Sequence, residues 1–291
     1  MKRNFIMYLI LIGTLSGCIH KYNYPEKVFS DFPEETLEKM NDDEVWVFIM
    51  AGQSNMAGRG AVEPQDTVKH PDIFSINSEN EIVYAKEPLH FYEPDLTGLD
   101  CGMSFSVTLL DRLPRPYADR IKILILPTAV GGSSIHQWLN NDEFRGVKLF
   151  SNFAEKVAIG KDFGTIKGIL WHQGESDARP PYFLRYHEYL ATLTNKFRAE
   201  VGDPELPIFV GELGQFPSDH QYNRSVLNEK LRLFVDETPS TYLISSKGLT
   251  DKGDGTHFDS KSQRELGQRY ANSFLKNVLN LWAIRTMQNQ N

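Results

Sequence analysis

The stretch Trp46-Val-Phe-Ile-Met-Ala-Gly-Gln-Ser54-Asn-Met-Ala-Gly58 decides the fold, because an apolar run breaks there into small and polar residues around one serine. The run from Val45 to Met50 has the composition of a strand buried in a parallel sheet. The glycines beyond it permit a tight turn and the close approach of a ligand. A serine directly after such a strand lies at the edge where open α/β sheets bind ligands. Ser54 is therefore a candidate nucleophile.

An acid and a base of the kind that activates a serine occur together near the end of the chain. Asp254-Gly-Thr-His257 places a carboxylate and an imidazole in one short segment. Serine needs a general base, and the base needs an acid that orients its ring. The sequence therefore predicts a Ser54–His257–Asp254 hydrolase, with a turn residue or helix cap as the alternative for Asp254. No histidine pair has the spacing of a zinc site, so we expect no metal.

Four more apolar runs predict strands, and nearly all of them end in polar residues or glycine: 121–126, which ends at Pro127, 166–172, 207–211 and 241–245. Helices are predicted between and after them: 104–113, 149–159, 181–201, 223–235 and 260–281. This alternation predicts one α/β domain with a parallel sheet and right-handed crossovers. The polar strand ends place the chemistry on one edge of the sheet. The long, turn-rich segment from Arg59 to Asp100 is expected to form a wall of the substrate site.

The first residues have the pattern of a targeting signal. Lys2 and Arg3 precede an apolar stretch, 5–15, that is too short to span a bilayer. Leu15-Ser-Gly-Cys18 follows and resembles the lipobox of bacterial lipoproteins. We expect a lipoprotein signal peptide over 1–17, a lipidated Cys18, a tether over 18–44 and the catalytic domain over 45–291. The protein would then be lipid-anchored in the bacterial cell envelope, on the periplasmic or outer-surface side. An ordinary signal peptide is the alternative.

Cysteine count and charge narrow the partners further. The chain holds only Cys18 and Cys101, so lipidation of the first leaves no intramolecular disulfide. Cys101 is interpreted as a small buried apolar residue. The formal net charge of −7 argues against nucleic acid as a partner.

Four sequence blocks in order resemble the SGNH hydrolase superfamily: Gly52-Gln-Ser-Asn-Met56, Ala129-Val-Gly-Gly-Ser-Ser134, Trp171-His-Gln-Gly-Glu-Ser-Asp177 and Asp254-Gly-Thr-His257. More narrowly, they are similar to the carbohydrate esterases that include sialate O-acetylesterases and acetylxylan esterases. The resemblance runs from about residue 44 to the C-terminus. It implies an α/β three-layer sandwich with a five-stranded parallel sheet, a flavodoxin-like fold. It also implies a serine esterase that requires no metal or organic cofactor.

The resemblance assigns roles to individual residues. Ser54 matches the nucleophile, His257 the base and Asp254 the orienting acid. The oxyanion donors would be the N–H of Ser54, the N–H of either Gly131 or Gly132, and the side-chain amide of Gln173, which stands where many members have asparagine.

A glutamate equivalent to Glu175 has been placed in the active site of this branch. The alternative is a buried carboxylate that accepts backbone N–H groups of the nucleophile turn. Gln53, Asn55 and His90 are the candidates for substrate contact. His136 is a candidate for lining the pocket.

The substrate implied by the resemblance is an O-acetylated polysaccharide or oligosaccharide, deacetylated through an acetyl-enzyme. Acetylated xylan is preferred over acetylated sialic acid on the strength of the block Trp171–Asp177. A lipase or general short-chain esterase would instead show a broad apolar pocket. A non-catalytic glycan-binding lipoprotein would have lost the nucleophile or the base, and this chain retains both Ser54 and His257.

Overall fold

The computed structural model describes residues 45–113, 118–218 and 221–279. The predicted signal peptide, Cys18 and the tether lie outside these ranges. None of the helices within them combines the length and the apolar character needed to cross a membrane.

The strands and helices of the described residues follow the predicted alternation. The strands are β1 (Val45–Gly52), β2 (Ile73–Ile76), β3 (Ile82–Tyr84), β4 (Lys122–Pro127), β5 (Glu143–Phe144), β6 (Val147–Lys148), β7 (Thr165–His172), β8 (Ile208–Gly211) and β9 (Thr241–Ile244). The α-helices are α1 (Ser54–Ala57), α2 (Gly102–Arg112), α3 (Ile135–Asn140), α4 (Leu149–Phe163), α5 (Tyr186–Val201), α6 (Gln221–Glu237) and α7 (Ser260–Phe274). Single turns of 3-10 helix cover Pro64–Thr67 and Tyr182–Arg185, and a π-helical turn covers Leu275–Leu279.

The main sheet has the strand order β3-β2-β4-β1-β7-β8-β9, and every neighbouring pair is parallel except β2 with β3. The five predicted strands are β1, β4, β7, β8 and β9, and their order, counted along the chain, is 2-1-3-4-5. This is the flavodoxin-like order, so the predicted fold class is confirmed. The predicted number of strands was too low by two.

The two additional strands lie in the segment that the sequence showed only as turn-rich. β2 pairs with β4 and β3 pairs with β2, which extends the sheet beyond its expected edge. They span only four and three residues, which is too short for a clear alternation of apolar and polar positions. A small separate hairpin, β5–β6, lies between α3 and α4.

Apolar side chains cover both faces of the sheet, because successive residues of a strand point to opposite sides. Along β1, Val47 and Ile49 belong to one buried cluster and Phe48 and Met50 to the other. The first cluster includes residues of α3, α4, α5 and α6, and the second includes residues of α2 and α7. The result is a three-layer sandwich with helices on both faces of the sheet.

The order of the strands reverses at β1, which neighbours β4 on one side and β7 on the other. Ligands of such sheets bind at the carboxyl ends of the strands beside this switch point. β1 and β7 end in register, with Gly52 opposite His172. A side chain could not fit at position 52, because a Cβ there would lie 2.1 Å from the carbonyl oxygen of His172 and the residue has φ +141°. The nucleophile turn and the third block are thus held against each other.

Candidate active site

In the structure, two successive hydrogen bonds connect the three predicted catalytic residues. The Oγ of Ser54, the first residue of α1, lies 3.0 Å from Nε2 of His257. The Nδ1 of His257 lies 2.8 Å from Oδ2 of Asp254. With the proton on Nδ1, the ring donates to Asp254, which leaves Nε2 free to accept the hydroxyl proton of Ser54.

Asp254 is fixed by the backbone as well as by the ring that it orients. Its Oδ1 accepts the N–H groups of His257 at 2.8 Å and Thr256 at 2.9 Å. Burial alone would raise the pKa of Asp254, but the hydrogen bonds and charge of His257 outweigh it, and the pKa is lowered. Asp254 is therefore ionised at neutral pH, as an acid that holds the imidazole must be.

Asn55 connects the nucleophile turn to the loop that carries the acid and the base. Its Nδ2 donates to Glu175 Oε1 and to the carbonyl oxygen of Thr256 at 3.1 Å. Its Oδ1 accepts the N–H of Phe258 at 3.0 Å. The side chain is fully buried, so the geometry does not support the predicted contact of Asn55 with substrate. Asn55 instead joins two catalytic segments that are far apart in the sequence.

Glu175 lies beside the triad without contacting the base. Its carboxylate accepts the side-chain amide of Asn55, whereas the alternative drawn from the sequence was a bond from backbone N–H groups. Its nearest histidine is His172, whose Nδ1 lies 3.8 Å away. Burial lowers the pKa of His172 and the charge of Glu175 opposes this shift. Among the described residues, the carboxylate bonded to the ring of His257 is that of Asp254.

The amide of Gln173 is occupied within the protein. Its Nε2 lies 2.6 Å from Asp177 Oδ2, 3.0 Å from the carbonyl oxygen of Ser133 and 3.0 Å from Gln53 Oε1. An amide nitrogen has two N–H groups, so neither remains for a substrate. The side chain is also fully buried. The geometry therefore does not support Gln173 as an oxyanion donor. A fourth polar group, the Tyr186 hydroxyl, donates to its Oε1 at 2.6 Å.

Gln53 has a related linking role. Besides the amide of Gln173, its Oε1 accepts the N–H groups of Gly174 at 3.3 Å and Ser176 at 3.2 Å. Gln53 is buried, at 3% exposure. Through Oε1, Gln53 therefore holds the third block against the nucleophile turn. The geometry does not support its predicted contact with substrate.

The glycine turn after β4 separates the two oxyanion candidates. The N–H of Gly131 donates to Glu93 Oε2 at 2.6 Å and is therefore occupied. Gly132 has φ +85° at the third position of a turn that the N–H of Ser133 closes onto the carbonyl of Val130, as a type II turn requires. Gly132 also lines the cavity described next. Of the two glycines, Gly132 is the one whose position suits an oxyanion donor.

A cavity of about 770 Å³ opens beside the triad. Its lining includes Glu175 and Thr256, which contact the catalytic segments, and His136, as predicted. The residues on its remaining sides are Gly132, Ser134, Gln137, Phe144, Ser176, Asp177, Ala178, Arg179, Tyr182 and Arg224. Most of the lining side chains are polar or charged, and the space is large enough for a sugar ring. This lining differs from the broad apolar pocket expected of a lipase.

Two arginines, Arg179 and Arg224, line this cavity together with the carboxylates of Glu175 and Asp177. Arg224 is 3% exposed, and its guanidinium donates to the Gly255 carbonyl at 2.6 Å and to Thr256 Oγ1 at 3.0 Å. Within the described part of the chain, no carboxylate pairs with it. Arg179 is exposed at the mouth, with its guanidinium 5.0 Å from the centre of the Tyr182 ring. Neither arginine could be identified from the sequence, because neither belongs to one of the four blocks and Arg224 lies in an ordinary amphipathic helix.

His90 does not line the cavity, and the geometry does not support its predicted contact with substrate. Its side chain is fully buried, and its Nδ1 lies 2.9 Å from Asp100 Oδ2. The segment that carries it folds back into the second apolar cluster, with Leu89 and the buried Glu87 as its neighbours in the chain. Cys101, in contrast, is buried as expected, and burial raises the pKa of its thiol.

Comparison with known proteins extends the likeness to nearly the whole described region. A family model described as carbohydrate esterase, sialic acid-specific acetylesterase, matches residues 44–276. A probable carbohydrate esterase of Arabidopsis thaliana is 28% identical over 249 residues, which cover 79% of this chain and 90% of the plant protein. The X-ray structure of the plant protein matches with a TM-score of 0.69 at 26% identity, over 80% of this chain and 98% of that one.

Two more distant structures share the fold. A carbohydrate acetylesterase from Xanthomonas citri matches with a TM-score of 0.59 at 20% identity, over 79% of this chain and 55% of that one. NanS matches with a TM-score of 0.63 at 17% identity, over 84% of this chain and 99% of that one.

Proposed function

Because the chain belongs to the sialic acid-specific acetylesterase family of carbohydrate esterases, and is therefore a carboxylic ester hydrolase, we propose that it removes O-acetyl groups from a glycan by two-step acyl transfer. The observation that carries this proposal is the continuous array from Ser54 Oγ through His257 to Asp254. The array lies beside a polar cavity that suits a carbohydrate better than a lipid.

In the first step, Nε2 of His257 takes the hydroxyl proton of Ser54 while Oγ attacks the acetyl carbonyl carbon. The developing oxyanion is held by the N–H of Ser54, which has no intrahelical partner at the start of α1, and by the N–H of Gly132. His257 then gives its proton to the departing sugar oxygen. In the second step, His257 activates a water molecule that releases acetate from Ser54. Asp254 keeps the ring in the required tautomer throughout.

Two substrate classes follow from different observations. The block Trp171–Asp177 resembles that of acetylxylan esterases and supports acetylated xylan. The cavity supports a sugar acid such as acetylated sialic acid, because a buried guanidinium without a carboxylate partner is costly and an anionic sugar would offset that cost. Arg224 supplies this buried cation. Arg179 is a second cation, exposed at the mouth of the cavity.

The decisive experiment measures acetate release from matched substrates by the purified domain. The panel comprises acetylated xylan, O-acetylated sialosides and nitrophenyl esters of increasing chain length, each assayed in parallel with Ser54→Ala. Faster release from the sialosides supports the sugar acid, and Arg224→Gln should then raise KM for the sialosides and leave KM for nitrophenyl acetate unchanged. Preference for long-chain esters indicates a general esterase. Absence of any release that depends on Ser54 contradicts the proposal.

We also propose that Cys18 is lipidated and anchors the enzyme in the bacterial cell envelope. The support is the sequence Leu15-Ser-Gly-Cys18 after a basic and apolar leader. An anchored enzyme would act on glycans that reach the cell surface or the periplasm.

A further inference from the structure

A buried carboxylate outside the triad contacts the glycine turn that is to hold the oxyanion. Glu93 Oε2 accepts the Gly131 N–H at 2.6 Å and lies 2.8 Å from Arg59 Nη2. Its other oxygen, Oε1, pairs with Arg145 at the tip of the β5–β6 hairpin. The Glu93 side chain is 3% exposed, so its contacts with Arg59 and Gly131 are shielded from water, whereas Arg145 reaches it from the surface. Gly131, Arg59 and Arg145 together compensate the negative charge that Glu93 brings into the protein interior.

The same group joins the turn to the nucleophile. Arg59 follows α1 closely and also donates through Nη1 to the carbonyl of Gly58 at 2.8 Å. The chain of contacts therefore runs from the end of the nucleophile helix through Arg59 and Glu93 to Gly131. The space is tightly filled, because a Cβ on Gly131 would lie 2.0 Å from Arg59 Nη2 and 2.7 Å from Glu93 Oε2.

The glycine turn needs such an anchor. Two adjacent glycines restrict their own backbone little, so Gly131 and Gly132 would sample many orientations by themselves. An oxyanion donor works only if it is held in place before the charge develops. A carboxylate gives a strong hydrogen bond to a backbone N–H. Burial alone would raise the pKa of Glu93, but Arg59, the Gly131 N–H and Arg145 outweigh it and the pKa is lowered, so the carboxylate is charged at neutral pH.

We propose that Glu93 is a positioning residue for the oxyanion hole: by holding the Gly131 N–H it fixes the peptide that aims the Gly132 N–H at the oxyanion. Arg59 and Arg145 hold Glu93 itself in place. None of the described residues between Arg59 and Asp100 lines the cavity, and the segment thus supports the chemistry through one carboxylate instead of forming the expected wall. This inference rests on the proposed role of Ser54 as nucleophile.

The test compares Glu93→Gln with wild type in nitrophenyl acetate hydrolysis and in binding of phenylboronic acid. A boronic acid forms a tetrahedral adduct with a catalytic serine and so reports on the oxyanion hole directly. We expect kcat to fall by ~10- to 100-fold, somewhat less than the loss of a whole oxyanion donor, with KM within about twofold of wild type. The dissociation constant of the boronic acid should rise in parallel with the fall in kcat.

Glu212→Gln is the matched control. Glu212 is buried like Glu93, pairs with Arg232 and accepts a backbone N–H, that of Ser246 at 3.3 Å. It lies after β8 and has no contact with the glycine turn. We expect a lower melting temperature with unchanged kcat and boronic acid affinity.

The outcomes separate this inference from the proposed function. If wild type shows no hydrolysis that Ser54→Ala abolishes, the proposed function fails. If wild type is active but Glu93→Gln keeps its kcat and its boronic acid affinity, the positioning role is wrong. If Glu93→Gln does not fold, Glu93→Asp is tested in its place. Its shorter side chain keeps the charge that Arg59 requires but moves the carboxylate away from the Gly131 N–H. A folded Glu93→Asp enzyme with full kcat would equally overturn the inference.

Discussion

Replacing Asp254 by asparagine should stop catalysis while leaving the fold in place. The amide oxygen of Asp254→Asn can still accept the N–H groups of Thr256 and His257, which Asp254 Oδ1 accepts at 2.9 and 2.8 Å. The amide nitrogen would then take the place of Oδ2, 2.8 Å from Nδ1 of His257. An NH₂ group cannot accept the Nδ1 proton, so the ring adopts the Nε2–H tautomer. In that tautomer Nε2 faces Ser54 as a donor and cannot remove its proton.

The expected loss is ~10⁴-fold in kcat, the magnitude found when an orienting acid of a serine triad is replaced by its amide. At 1.36 kcal/mol for each factor of ten, this corresponds to about 5.4 kcal/mol of activation free energy. The melting temperature should change little, because both backbone hydrogen bonds persist. Initial rates with nitrophenyl acetate and a thermal melt of the same sample measure the two quantities.

Two further amides serve as controls for this prediction. Asp251→Asn alters a carboxylate of the same loop whose Oδ2 accepts the N–H groups of Gly253 at 2.9 Å and Gly255 at 2.6 Å, and it should keep nearly full activity. Glu175→Gln should cost less activity than Asp254→Asn, but more stability. If Glu175→Gln is inactive while Asp254→Asn keeps most of its rate, the third block supplies the acid and our assignment is refuted.

Three other predictions can be tested independently. Ser54→Ala and His257→Ala should each abolish ester hydrolysis with the melting temperature preserved, and activity within tenfold of wild type would exclude that residue from the triad. Burial, and to a smaller extent the charge of Asp100, raises the pKa of Glu87 well above 4.5. The stability that Glu87 contributes is therefore complete below pH 4.5 and is lost as the pH rises through the pKa of the folded state. Glu87→Gln should therefore gain stability relative to wild type as the pH is raised from 4 to 8, by at most about 1.4 kcal/mol per pH unit, and a difference that does not vary with pH would contradict this. Cys18→Ser should release the protein from membranes, and labelling of the wild-type chain with a fatty-acid analogue in a bacterial host is the direct check, with absence of label opposing the anchor.

The strands that carry the site could be predicted because their signal is local. Each is an apolar run that ends in polar residues, and this pattern located β1 and β7 to within a few residues. β2 and β3 could not be found in this way, since strands of three or four residues leave no readable period. Their place at the sheet edge depends on pairing with β4, which is a tertiary effect.

The reactive residues were similarly easier to predict than their surroundings. Ser54 and His257 have a chemistry that few other side chains could supply, so a motif identifies them. Gln173 and His90 have several possible partners, and only the fold determines which partner each one meets. Gln173 meets Asp177 and Ser133 in the interior. Arg224 reaches the cavity from a helix whose sequence pattern gives no indication of function.

The residues that line the cavity form two groups, which differ in how freely they can be substituted. Arg224, on α6, donates a hydrogen bond to Thr256 in the loop that carries the acid and the base. In the described part of the chain, Phe144, Arg179 and Tyr182 line the same space without a hydrogen bond to the triad. A library randomised at these three positions would therefore sample new glycans while the acetyl-transfer machinery stays intact. The scaffold is in this sense already prepared for engineering of its specificity.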